Sequence, residues 1–124
     1  MKPVILIPTY NESVAIVELL NKLSTLHNLR DFDVVVLDDN SPDKTADIVD
    51  SMNLSWVSVL RRPGKAGLGA AYRAGFAHVL PLNKYSKIVT MDADGSHRVE
   101  DLPAMLDATD HPISITLGTR WMPG

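Results

Sequence analysis

Short β-rich runs set between helical patterns constrain this chain more than any other feature. Five candidate strands stand out, several of them continuously apolar: Val4–Ile7, Val34–Leu37, Trp56–Leu60, Ile88–Met91 and Ile113–Leu117. A strand with one face in water alternates apolar and polar residues, whereas a continuous apolar run belongs to a parallel strand covered on both faces. Between the first two runs, Val14, Ile16, Val17, Leu19, Leu20, Leu23 and Leu26 recur at the i, i+3, i+4 spacing of one helix face. Ser41 followed by Pro42 predicts an N-cap with proline in the first turn, opening a helix to about Ser51. A third helix is expected from about Leu68 to Leu80, and a short fourth from Val99 or Glu100 to Ala108. The alternation predicts an α/β fold with a mainly parallel sheet in the order 3-2-1-4-5 and helices on both faces. At 124 residues the chain has room for a single core, so residues 1–124 are read as one domain.

Composition narrows the function classes. A net charge of −3 and a pI near 5.7 disfavour a nucleic-acid binder, which would carry a basic excess. The chain has no cysteine, which removes disulfides, thiolate zinc sites, iron–sulfur clusters and a cysteine nucleophile together. No apolar run approaches the ~20 residues needed to span a bilayer, and the opening Met1-Lys2-Pro3 does not resemble a secretory signal. The expected setting is cytoplasmic.

The polar residues gather where the strands end. Pro8-Thr9-Tyr10-Asn11-Glu12 follows the first strand and Asp38-Asp39-Asn40-Ser41-Pro42-Asp43 the second. Arg61-Arg62-Pro63-Gly64-Lys65 follows the third, Asp92-Ala93-Asp94-Gly95-Ser96-His97 the fourth, and Gly118-Thr119-Arg120 the fifth. In an open parallel sheet these carboxyl ends share one edge, where ligands bind beside the switch in strand order. Asp92 and Asp94 offer the hard oxygen ligands that Mg2+ or Mn2+ prefers, and such ions commonly bridge to substrate phosphates. A lone Asp-x-Asp is most often a solvated turn, but with Asp38-Asp39 on the same edge the repulsion favours a bound cation. The spacing excludes an EF-hand, because Gly95 falls too early after Asp92. Of Asp38 and Asp39, one is expected to serve in capping or structural hydrogen bonds. Gly64 to Gly69 reads equally as a phosphate cradle or a flexible loop, and matches neither common phosphate-loop pattern. Arg61, Arg62 and Lys65 read as a solvated basic loop that could meet phosphate. His97 reads as a surface residue at a helix start, and serine hydrolase chemistry has no support.

Taken in order, Pro8-Thr9-Tyr10-Asn11-Glu12, Asp38-Asp39-Asn40-Ser41-Pro42-Asp43, Gly67-Leu68-Gly69 with Ala71, Met91 to His97 and Gly118-Thr119-Arg120 resemble the nucleotide-sugar half of the family 2 glycosyltransferases, which have the GT-A fold. Within that family the chain is most similar to the polyprenol- and dolichol-phosphate mannosyltransferases. The resemblance implies inverting transfer of mannose from GDP-mannose to a polyprenyl monophosphate with a divalent cation, Mg2+ or Mn2+. By the same similarity Pro8, Tyr10, Glu12, Leu37 and Asp39 line the nucleotide pocket. Asp92 and Asp94 are then the catalytic pair that holds metal and diphosphate, Ala93 contributes backbone, and Arg120 contacts the donor. Asn40 and Lys44 stand where the family often has glycine, and asparagine tolerates the left-handed backbone.

Family members continue past the Gly-Thr-Arg segment into an acceptor half, so this chain is expected to be an incomplete unit. Its net charge and the absence of a basic amphipathic helix place membrane contact in a C-terminal portion, a partner chain or a membrane subunit, with the active unit peripheral at the cytoplasmic face. Two other readings are a UDP-glucose-dependent glucosyltransferase and an inactive nucleotide-sugar-binding fragment. A phosphoacceptor receiver domain shares the strand count but wants its acidic pair after the first strand, and here the pair follows the second.

Overall fold

The computed structural model describes residues 2–64, 67–94, 99–107 and 114–117. Five strands, β1 (Lys2–Thr9), β2 (Asp33–Asp38), β3 (Val57–Arg61), β4 (Tyr85–Thr90) and β5 (Ser114–Leu117), form one sheet in the order β3-β2-β1-β4-β5. Every neighbouring pair is parallel, with Ile5 opposite Val34 on one side of β1 and opposite Val89 on the other. The order matches the sequence expectation, and β1 meets β4 at the switch point.

Each apolar run serves two cores at once because side chains alternate across a pleated strand. Ile5 and Ile7 of β1, Val34 and Val36 of β2 and Val89 of β4 face one layer. That layer is α1 (Ser13–His27), α2 (Thr45–Ser51) and α4 (Leu102–Asp107), contributing Ile16, Leu20, Leu23, Val49 and Leu102. Val4, Leu6, Val35, Leu37 and Ile88 face the other way onto α3 (Leu68–Val79) through Ala71 and Val79. Val4 to Ile7 are all fully buried. Each such side chain is worth roughly 1.5–3 kcal/mol of burial, which explains why no polar residue interrupts the run.

One helix start differs from expectation. The second helix opens at Thr45, not at Ser41–Pro42, because the Ser41 hydroxyl and amide are already bonded to Asp38. Residues 41–44 form a turn closed by the Lys44 amide on the Ser41 carbonyl (3.1 Å), with Lys44 left-handed at φ 61°. At its far end α3 stops at Val79 and tightens into a 3-10 turn, Leu80–Leu82, where Pro81 cannot continue the α-helical ladder. A similar 3-10 turn, Val99–Asp101, leads into α4.

Gly75 sets how closely α3 lies on the sheet. A Cβ built there would meet Leu37 Cδ1 and Leu6 Cδ1 at 2.9 Å, whereas one at Gly69 meets only Arg73 Nη1 at 3.4 Å. Gly75→Ala should therefore lower stability by about 1–2 kcal/mol through overpacking, despite the better helix propensity of alanine. Gly69→Ala should be neutral or stabilising. Urea denaturation of the two variants measures the contrast.

Candidate functional site

The carboxyl ends of β1, β2 and β4 are knitted together before any ligand is considered. The Asp39 amide donates to the Thr9 carbonyl (3.1 Å), the Arg62 amide to the Asp38 carbonyl (2.8 Å) and the Met91 amide to the Leu6 carbonyl (3.0 Å). Asp38 is 3% exposed and accepts from Thr9 Oγ1 (2.7 Å), Ser41 Oγ (2.6 Å) and the Ser41 amide (3.0 Å). It is the structural member of the acidic pair, and its neighbour Asp39 is left to face the cleft.

The start of α1 is capped by the next loop instead of by its own side chain. Glu12, at the N-cap position, makes no side-chain capping bond. The amides of Asn11, Glu12 and Ser13 donate in turn to Ser41 Oγ (3.0 Å), Thr45 Oγ1 (3.3 Å) and Asp43 Oδ2 (3.2 Å), and the Asp43 amide returns a bond to Asn11 Oδ1 (3.3 Å). These are donors that a helix N-terminus would otherwise leave unsatisfied. With capping done from outside, the Glu12 carboxylate folds back to accept from the Tyr10 amide (3.1 Å) and turns to the cleft. Asp43 also accepts from the Thr45 amide and hydroxyl; outweighing desolvation, these bonds and those from Ser13 hold its carboxyl below the ordinary value. Its place is at the helix starts.

The result is a cleft of about 270 Å³. Pro8, Tyr10, Glu12, Asp39, Asp92, Ala93 and Asp94, all named from the sequence, line it together. Leu37 does not: its side chain is fully buried among the residues under α3. Arg120, His97 and Lys65 lie outside the described residues. Thr9, Gly67, Leu68 and Ala71 also line the cleft, so the glycine-rich stretch contributes a wall. Gly67 has φ 92°, which only glycine adopts easily, and this conformation delivers the chain from β3 into α3 at the cleft rim. Tyr72, one turn beyond Leu68 on the same helix, was not singled out by its sequence context. Its hydroxyl donates to Asp92 Oδ1 at 3.5 Å, and burial, then the Asp92 charge, push its phenol far above the ordinary value.

Arg61, the last residue of β3, and Arg62 after it are both engaged. Arg61 pairs with Asp47 (2.9 Å) and Asp50 (2.6 Å) on α2, and Arg62 pairs with Asp39 (2.5 Å). Glu12, Asp92 and Asp94 line the same cleft. Burial raises the Glu12 carboxyl above its ordinary 4.5, opposed by the Tyr10 bond and reinforced by the charges of Asp94, Asp92 and Asp43. Among the described residues no group of three or more side chains is placed to hold a metal by itself. Two carboxylates in an acidic cleft nevertheless fit Mg2+ or Mn2+, which retain waters and take the rest of their ligands from substrate phosphates.

Comparison with known proteins bears on this cleft. The sequence model of glycosyl transferase family 2 matches residues 4–124. The polyprenol monophosphomannose synthase of Mycolicibacterium smegmatis is 40% identical over 126 residues, covering 99% of this chain and 46% of its own length. The undecaprenyl-phosphate mannosyltransferase of Micrococcus luteus is 41% identical over 126 residues, covering 100% of this chain and 50% of its own. The chain thus spans about half the length of these relatives. Among solved structures, a mannosyltransferase from Pyrobaculum calidifontis, in complex with GDP-Man and Mn2+, superposes with a TM-score of 0.68 over 83% of this chain and 30% of that one. At 23% identity that likeness speaks to the fold.

Glu12 offers a test of the cleft's electrostatics. Its folded-state value is raised, so its contribution to stability is fully present below 4.5 and lost as pH rises through the folded value. Glu12→Gln keeps an oxygen for the Tyr10 amide and removes the charge. In metal-free buffer this variant should melt above the wild type at pH 7 and level with it at pH 3. Thermal unfolding across that range checks the sign.

Proposed function

This chain belongs to glycosyl transferase family 2, and from that premise we propose that it carries the donor site of a mannosyltransferase that uses GDP-mannose and a polyprenyl monophosphate acceptor. The observation that carries the reading is the convergence of Pro8, Tyr10, Glu12, Asp39, Asp92, Ala93 and Asp94 on one cleft at the strand switch point. The named relatives and the GDP-Man complex support the choice of sugar and nucleotide.

In this reading Pro8, Tyr10 and Asp39 hold the nucleoside, with Leu37 supporting them from the core through its register with Pro8. Asp92 and Asp94 would hold Mg2+ or Mn2+ and with it the diphosphate, Ala93 would contribute backbone, and Arg120 would contact the donor. The cation, when bound, supplies positive charge to the leaving nucleoside diphosphate. The residues of the chain hold the donor so that its anomeric carbon is open on the face away from the diphosphate. An acceptor phosphate oxygen attacks there, forming one carbon–oxygen bond as the bond to the diphosphate breaks, and configuration inverts. The acceptor oxygen is already anionic near neutral pH, so the step needs no strong general base. Tyr72 and Glu12 then act on the electrostatics of the cleft, not as proton acceptors.

The acceptor is a lipid whose tail stays in the bilayer, which places the working enzyme peripherally at the cytoplasmic face. No helix among the described residues is long and apolar enough to cross a membrane. Acceptor and membrane contacts are assigned to residues beyond this span or to a partner subunit.

The test is calorimetric binding of GDP-mannose and UDP-glucose, each with and without Mn2+, followed by turnover on a polyprenyl phosphate. We expect Mn2+-dependent binding of GDP-mannose. Preference for UDP-glucose would replace the donor, and binding without turnover would mark a binding module. Asp94→Ala should abolish Mn2+-dependent binding, because that carboxylate meets a dication and a diphosphate. Asp43→Ala should leave donor affinity nearly unchanged while lowering the melting temperature, since its bonds are all to the starts of α1 and α2. Equal losses of affinity would mean the site is misplaced.

A further inference from the structure

We propose that Arg62 is a positioning residue for the donor site, holding the Asp39 carboxylate in the one orientation that can accept a hydrogen bond from the nucleoside. The inference rests on the donor-site reading and names a residue that reading does not use. Arg62 Nη1 donates to Asp39 Oδ1 at 2.5 Å, and the two side chains are only 13% and 8% exposed. Asp39 lines the cleft; Arg62 does not. One carboxylate oxygen is therefore committed to the guanidinium and the other remains for a ligand.

Arg62 can do this because its own backbone is fixed. Its amide donates to the Asp38 carbonyl at 2.8 Å, immediately past the last β2–β3 partners, Asp38 and Arg61. Next to it, Asn40 Nδ2 donates to the Pro63 carbonyl at 3.4 Å, so the two strand exits are tied on both sides of the pair. The adjacent arginine shows that the arrangement is selective: Arg61 points to Asp47 and Asp50 on α2, in solvent, away from the cleft.

Charge gives the pair a second effect. The cleft already concentrates the charges of Glu12, Asp92 and Asp94. A bare Asp39 beside them would be repelled and nearly buried, and leaving a buried charge without its partner is costly. The guanidinium neutralises Asp39 locally, so a single cation at Asp92 and Asp94 can serve the diphosphate without being drawn to a competing carboxylate.

The experiment compares two probes with Mn2+ present: GDP, which engages nucleoside and diphosphate contacts, and inorganic pyrophosphate, which engages only the latter. Arg62→Gln should weaken GDP roughly tenfold, the scale on which losing a supporting hydrogen bond acts through the group it orients, and leave pyrophosphate unchanged. Arg62→Lys, which keeps the charge but not the planar fork, should fall between. In an Asp39→Asn background, Arg62→Gln should cost no further GDP affinity, since the two act as one unit. Unchanged GDP binding in Arg62→Gln would overturn the proposal. So would equal losses for both probes, or losses additive with Asp39→Asn, which would mark Arg62 as generally structural. A wild-type chain that binds neither probe would overturn the donor-site reading itself, and this inference with it.

Discussion

The buried carboxylate of Asp38 organises the whole functional edge. Among the described residues it forms no ion pair, and it is satisfied by three hydrogen bonds from Thr9 and Ser41, which closes the ends of β1 and β2 on one another. Once Ser41 is held there, its hydroxyl is placed to accept from the Asn11 amide, and the neighbouring Asp43 and Thr45 come to cap Ser13 and Glu12. A buried charge that is only partly satisfied would be among the most costly features a core can contain. Here the requirement to satisfy it dictates the path of two loops, and those loops carry Tyr10, Glu12 and Asp39.

The charges around the cleft divide accordingly. Asp38 is spent on structure, Asp39 is matched by Arg62, and Asp43 sits on helix starts, while Glu12, Asp92 and Asp94 are gathered on the cleft wall. Proteins seldom concentrate like charges at a strand-switch crevice without a ligand to oppose them. The fold thus separates acidic residues that build the site from acidic residues that act in it, although they are close in sequence and identical in type.

Much of this was legible in the sequence. The continuous apolar runs fixed the parallel strands, and the polar segments after them marked the edge, because a two-sided core leaves no other place for carboxylates. Asn40 and Lys44 stand where the family often has glycine, a left-handed backbone was legible for Asn40, and both have positive φ, as do Asn11, Asn53 and Asn83. What sequence could not supply were relations across the chain. Ser41–Pro42 has the local form of an N-cap, and only the distant Thr9 and the nearby Asp38 explain why Ser41 is used otherwise. Nothing in Arg61-Arg62 distinguishes the residue that points to α2 from the one that reaches Asp39. Leu37 carried the family resemblance as a pocket residue, yet it lies within β2 with its side chain covered by α3, whereas Asp39 lies past the end of the strand and reaches the cleft.

The central place of β1 has a consequence for how the chain is made. Of the described elements β1 is synthesised first, but its second neighbour in the sheet is residues 85–90 of β4, with β2, β3 and three helices emerging in between. Until then, one edge of this apolar strand has no partner for its amides and carbonyls. Parallel pairings over such separations form slowly, and an open apolar edge is a template for the wrong chain. Pro3 and Pro8 lie near the two ends of β1, and proline is one of the residues that blunt an exposed edge against foreign strands. The strand that anchors the finished site is also the one most in need of protection while the ribosome is still at work.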